Sequence, residues 1–170
     1  RAVGHLVARL KDPNLDGNTA DSIYDETAIV FYVDNGGAST SNYVHDNTPL
    51  RGHKGNTWEG GIRVPFFMKL PGFAPGTYSQ PVTSLDATAT LLALSSLPPL
   101  PSQDGVDLRP YLSGANTNAP HEHLYWRQGD KWAIRQGDWK LARGNAGADI
   151  ELYQLGSTGT GELADLSSAE

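Results

Sequence analysis

The sequence predicts an α/β unit followed by a small antiparallel α+β subdomain, and three observations carry that prediction. A helical pattern near the start of the chain leads into a continuously apolar run, Thr27 to Val33, as in a βαβ arrangement. That run does not alternate and is rich in β-branched and aromatic residues, the composition of a strand buried on both faces of a parallel sheet. From residue 124 onward, four short apolar segments with Gly-Asp joints read instead as an antiparallel meander. The change of character near residue 102 divides the chain into portions 1–103 and 104–170.

The elements follow in order. Val3, Leu6, Val7 and Leu10 recur at helical spacing, and Asp12-Pro13 stops the helix because proline disfavours helical geometry at the residue before it. Residues 12–26 are polar and read as a surface loop. Asp12-Pro13-Asn14-Leu15-Asp16-Gly17 opens like an EF-hand loop, but the twelfth position is Ile23 where a bidentate Glu is needed, so the motif fails. After the strand, residues 36–61 form a long loop rich in Gly, Asn and Ser, a length that usually marks function or disorder. Ile62 to Leu70 reads as a second strand that either lies at an edge or starts at Pro65. Ser84 to Leu94 reads as a helix with Ser84 as its N-cap and Asp86 at its positive end. Segments 124–127, 132–135, 139–142 and 151–155 are the strands of the meander. Trp126, Trp132 and Trp139 on them read as core rather than as a sugar-stacking platform.

Composition narrows the function classes. The chain has 170 residues, 38% hydrophobic content and a net charge of −6, enough for a real core and the wrong sign for a nucleic-acid partner. There is no cysteine, which removes disulfides, thiolate metal sites and a cysteine nucleophile. No apolar run approaches the roughly 20 residues of a membrane span. The chain opens without Met, inside a helical pattern, and reads as a piece of a longer protein.

The chemistry concentrates after the first strand. Asp34 and Asn35 place a carboxylate and an amide oxygen at its carboxyl end, where ligands of such sheets sit, and both are hard ligands suited to calcium or magnesium. Asp-Asn-Gly also makes ordinary strand-end turns, so the tripeptide alone leaves both readings open. Lys54 stands among glycines and offers an ammonium to a tetrahedral anion; its other reading is a solvated surface lysine. His45 and His53 flank the loop as substrate contacts or as exposed loop histidines. Arg51 is an anion contact or a structural ion pair. Trp58, Glu59, Gly60 and Gly61 read as scaffold, with Glu59 fixing the loop. His121 and His123 lack an evident third partner for zinc. A pair of cation-holding oxygens with a nearby lysine is half of a site for cleaving a sulfate or phosphate ester.

These motifs together resemble the C-terminal half of a type I sulfatase, in the alkaline-phosphatase-like superfamily. The matching residues are Val33-Asp34-Asn35-Gly36-Gly37, Pro49-Leu50-Arg51-Gly52, and Lys54-Gly55-Asn56-Thr57-Trp58-Glu59-Gly60-Gly61-Ile62-Arg63-Val64-Pro65. Leu85-Asp86-Ala87-Thr88, Asp104-Gly105-Val106-Asp107-Leu108, Gly137-Asp138-Trp139-Lys140-Leu141 and Glu151-Leu152-Tyr153 continue the likeness in order. The resemblance implies a mixed sheet sandwiched by helices, with the antiparallel subdomain after it. It implies hydrolysis of aryl or carbohydrate sulfates, Asp34 and Asn35 as ligands of calcium (magnesium as the alternative), and Lys54 as the sulfate-binding, catalytic lysine. His53, His45 and Arg51 would be substrate contacts, with the loop Ala38 to Thr48 contributing to substrate choice. The family's nucleophile is a formylglycine, whose Cys/Ser-x-Pro/Ala-x-Arg motif this chain does not contain, so the chain alone is expected to be inactive. A periplasmic, secreted or lysosomal location follows from the same likeness. Two other functions fit the residues: a phosphonate or phosphodiester hydrolase of the superfamily, and a noncatalytic carbohydrate-contacting module.

Overall fold

The computed structural model describes residues 1–39, 45–156 and 160–168. It divides into two compact units, Arg1–Phe31 with Phe67–Asn118, and Tyr32–Phe66 with Ala119–Glu170. The division does not follow chain order. The loop that carries the candidate site belongs with the C-terminal strands.

In the first unit, α1 (Ala2–Lys11) ends at Asp12 as the Asp-Pro signal requires. Val3 and Leu6 stay exposed while Val7 and Leu10 are half-buried, so its apolar stripe is only partly covered by the described residues. The following loop closes on itself through Asx-type bonds: the Gly17 N–H donates to Asp12 Oδ2 at 3.0 Å and the Asn18 N–H to Asp16 Oδ1 at 2.7 Å. The helix α3 (Leu85–Leu94) begins where expected, but Ser84 makes no side-chain cap. Ser84 has already taken helical backbone angles, and Asp86 does the capping instead. Its Oδ2 accepts the Thr83 N–H at 2.8 Å, while its Oδ1 accepts the Val106 N–H at 2.9 Å. Asp86 is 0% exposed, and beside it Thr90 Oγ1 accepts the Leu108 N–H at 2.9 Å. A further single turn, α4 (Arg109–Leu112), follows.

The strands β1 (Ile29–Tyr32) and β2 (Phe66–Lys69) pair as a two-stranded sheet. Phe31 meets Phe67, Tyr32 meets Phe66, and the Val33 N–H donates to Pro65 O at 3.3 Å. The partner numbers fall as the chain numbers rise, so this pair is antiparallel. The expected burial of β1 on both faces is not met: Phe31, Tyr32 and Val33 are exposed. β2 starts after Pro65, the second of the two options its proline allowed. Residues Glu59–Ile62 form a helical turn, α2, that the two glycines had argued against.

In the second unit, β3 (Leu124–Gln128), β4 (Lys131–Gln136), β5 (Trp139–Arg143) and β6 (Glu151–Gln154) form the expected meander in order β3-β4-β5-β6. Gln128 pairs with Lys131 and Gln136 with Trp139, so Gly129-Asp130 and Gly137-Asp138 are two-residue turns. Only their glycines have positive φ, +60° and +56°, which is the II′ form. Register puts Trp126, Ala133, Ala142 and Glu151 on one face, with Leu124, Arg135, Lys140 and Tyr153 beside them. That face is the core: Ala133, Ala142, Tyr153 and Leu155, with Trp58 and Trp126 packed on it. Trp132 pairs with Arg127 and Arg143 and so lies on the opposite face, and Trp139 is exposed. The three tryptophans therefore form neither one core nor one platform, because neighbouring strand positions alternate faces.

Candidate functional site

Asp34 and Asn35 lie just past the end of β1, Asp34 exposed and Asn35 half-buried. The Asn35 amide donates to Asp34 Oδ1 at 3.0 Å. Asn35 Oδ1 and Asp34 Oδ2 accept no hydrogen bond from the described residues. Both are hard oxygens, the donor chemistry a hard divalent cation takes. Among the described residues no three His, Cys, Asp or Glu side chains converge as a metal-holding group.

The loop carrying Lys54 is bound directly to this turn. The Lys54 N–H donates to Gly37 O at 3.0 Å, and the Gly36 N–H donates to Gly61 O at 2.9 Å. Asn47 joins both sides: its Oδ1 accepts the Gly37 N–H at 2.9 Å, and its Nδ2 donates to Gly37 O at 3.1 Å and Gly52 O at 3.2 Å. Gly60 donates to Arg51 O at 2.7 Å. A Cβ on Gly36 would sit 1.7 Å from Gly60 O, so the two segments approach to a distance only glycine permits. Lys54 itself is exposed, and its ammonium has no hydrogen-bond or ion-pair partner among the described residues.

The remaining predicted residues separate. His53 is half-buried, and its Nδ1 donates to Lys54 O at 2.9 Å, while Nε2 has no hydrogen-bond partner among the described residues. His45 is exposed beside Gly37, and its N–H donates to Ala38 O at 3.0 Å. Part of the loop assigned to substrate choice, residues 40–44, lies outside the described residues. Arg51 points into the fold. Its guanidinium stacks over the Trp58 ring at 4.0 Å and donates to Glu151 Oε1 at 3.0 Å and to the Tyr153 hydroxyl. Trp58 Nε1 donates to the other oxygen of Glu151 at 3.0 Å. Burial, followed by the Glu151 hydrogen bond, pushes the Tyr153 phenol well up, so it stays neutral across the working range of proteins. This is the structural ion pair that was one of the two readings of Arg51.

Three residues that sequence reasoning passed over support the loop from below. Thr57 Oγ1 lies 3.1 Å from Trp132 O and 3.2 Å from Arg143 O, fastening the loop to β4 and β5. Lys140, 0% exposed, donates to Glu59 Oε1 at 2.9 Å and lies 2.6 Å from Glu162 Oε1. Glu162 Oε2 accepts the Glu59 N–H at 2.6 Å. Burial raises the Glu162 carboxyl above its ordinary range, with the Lys140 ammonium opposing. No local pattern announces Lys140 or Glu162. The sequence assigns Glu59 to fixing the loop but names no partner for it.

Comparisons with known proteins match this arrangement. A family model described as Sulfatase matches residues 2–97. A sulfatase of Formosa agariphila is 34% identical over 134 residues, which cover 74% of this chain and 24% of that protein. Human arylsulfatase A is 33% identical over 161 residues, 87% of this chain and 30% of that one. The crystal structure of the PsFucS1 sulfatase from Pseudoalteromonas superposes with a TM-score of 0.72 at 26% identity, over 95% of this chain and 35% of that one. The chain thus spans about a quarter to a third of the length of the relatives it matches. Among its described residues no helix is long and apolar enough to cross a membrane.

Proposed function

Because the chain belongs to the sulfatase family, we propose that the protein containing it hydrolyses aryl or carbohydrate sulfate esters. Asp34 and Asn35 would be two ligands of a calcium ion, and Lys54 the cationic contact to the sulfate. The observation that carries this reading is the direct bond from the Lys54 N–H to Gly37 O, which ties the lysine's loop to the Asp34-Asn35 turn. A cation at the turn and an ammonium on the loop would then address one anion from two sides.

When bound, the cation supplies Lewis-acid polarisation of a sulfate oxygen. The rest falls to this chain. The Lys54 ammonium pairs with the sulfate and offsets charge that develops on the departing ester oxygen, which takes a proton as the alcohol leaves. The water oxygen ends on sulfate. His53 presents Nε2 near the same loop, placed for a polar contact with the substrate's alcohol portion. The Arg51 guanidinium is engaged inward, so its role is to hold the loop rather than the anion. The nucleophile, a formylglycine in the family resemblance, comes from sequence outside this chain, and the isolated chain turns over no sulfate ester.

Two substitutions in the full-length protein test this. Lys54→Ala lowers kcat by about 10²–10³-fold, the cost of removing one charge-stabilising group. Asp34→Ala weakens calcium binding in a calorimetric titration. Unchanged turnover and unchanged calcium affinity in the two variants would remove the assignment, as would hydrolysis of an aryl sulfate by the purified chain alone.

A further inference from the structure

We propose that Glu162 and Lys140 are positioning residues for Lys54 and for the Asp34-Asn35 turn, acting through the backbone of Glu59. The proposal rests on the reading of Lys54 as the sulfate contact. Glu162 lies in the single 3₁₀ turn Thr160–Leu163, and Lys140 lies on β5. With Glu59 they form a closed ring. Glu162 Oε2 takes the Glu59 N–H at 2.6 Å, Glu162 Oε1 meets Lys140 Nζ at 2.6 Å, and Lys140 returns to Glu59 Oε1 at 2.9 Å. Their residues are 1%, 0% and 2% exposed. Arg135 Nη1 stands 3.8 Å and Arg63 Nη1 3.9 Å from the second Glu59 oxygen.

The ring grips Glu59 twice, by its side chain and by its N–H. Glu59 begins α2, and the next two residues carry the contacts that matter. Gly60 donates to Arg51 O at 2.7 Å, and Gly61 O accepts the Gly36 N–H at 2.9 Å. Both flanks of the site therefore hang on one helical turn whose first residue is fixed from below. Glycines cannot hold that turn by themselves, since they favour no single backbone conformation. The short contacts that a Cβ on Gly36 or Gly60 would make leave no slack for the turn to slide. A misplacement near 1 Å in a charge-stabilising group costs on the order of 10²-fold in rate, so the ring has leverage over a reaction it does not touch.

Glu162→Gln in the full-length protein is the sharpest test. The amide has one acceptor oxygen, so it serves the Glu59 N–H or Lys140 but not both. The Glu59–Lys140 pair stays charge-balanced, so no unpaired buried charge is created. The expected result is a fall in kcat of about 10–100-fold, with inhibition by inorganic sulfate weakened about tenfold. Leu155→Ala, in the same unit's core, is the control for lost stability: assayed well below its melting temperature, it keeps kcat within about twofold. Glu162→Gln with kcat and sulfate inhibition both within twofold of the parent overturns the proposal, as does a Leu155→Ala variant that loses kcat equally. Should Glu162→Gln not fold, Lys140→Arg keeps the charge and tests the same ring, with the same thresholds. Lys54→Ala in parallel separates the two readings. If it stays active, the anion assignment is what fails.

Discussion

Gly36 and Gly60 decide how closely the two halves of the site meet. The Cβ of an alanine at position 36 would lie 1.7 Å from Gly60 O, a backbone atom that cannot swing aside. Gly36→Ala is expected to cost about 3 kcal/mol, the upper range for forced overpacking, read as a lower melting temperature. Gly4, exposed in the first turn of α1, has nothing within 4 Å of a Cβ. Gly4→Ala should stabilise by roughly 0.5–1 kcal/mol, the helix preference of alanine over glycine. Opposite signs for two glycine-to-alanine changes follow from geometry alone. At this scale residue type made Asp34, Asn35 and Lys54 candidates, and only the family resemblance gave them roles. Arg51 could not be decided, because a guanidinium suits an anion and a buried carboxylate equally. Only the positions of Glu151 and Trp58 separate the two.

The helix α3 shows how an element's boundary can be right while its cause is different. Ser84 stands where an N-cap belongs, yet the capping oxygens are those of Asp86. Its carboxylate, 0% exposed, accepts from Thr83 and Val106 and so joins the helix start to the Asp104–Leu108 turn. Asp86→Ala leaves both N–H groups without that acceptor, and a loss of about 3 kcal/mol is expected in thermal unfolding. The meander was legible because its II′ turns carry Gly-Asp at two-residue spacing, a strictly local signal. α2 was not, since Gly60 and Gly61 argue against a helix. It forms because Glu59 is anchored by partners 81 and 103 residues away in sequence. β1 showed its composition but not its exposure, because a pattern of apolar residues says what a strand needs to cover and not what covers it.

Across the molecule, three acidic groups respond to pH in opposite directions. Burial raises the folded-state pKa of Glu162 above its ordinary 4.5, so the folded protein holds that proton more tightly than the unfolded chain does. Its contribution is complete below the unfolded value and is lost as pH rises through the folded one. Asp165 runs the other way: hydrogen bonds from Ser167 lower its pKa, and its contribution is present above the ordinary range and lost on acidification. Asp107, held down by Arg109 against the effect of burial, behaves like Asp165. A melt series from pH 4 upward should therefore show Glu162→Gln gaining relative to the parent as pH rises. A difference curve that is flat, or that slopes the other way, contradicts that sign.

The tie between Glu59 and Glu162 also bears on when the protein becomes competent. Arg51, Trp58 and Glu59 all find their partners between Lys140 and Glu162, on segments made well after their own loop. A nascent chain that has emerged only through Pro65 already carries Asp34, Asn35, Lys54 and the loop's own hydrogen bonds, but lacks the partners of Arg51, Trp58 and the Glu59 side chain. Pairings this distant in sequence form late, after the loop-closure entropy between them has been overcome. The loop of the site thus waits, during synthesis, on partners that lie 81 to 103 residues further along the chain.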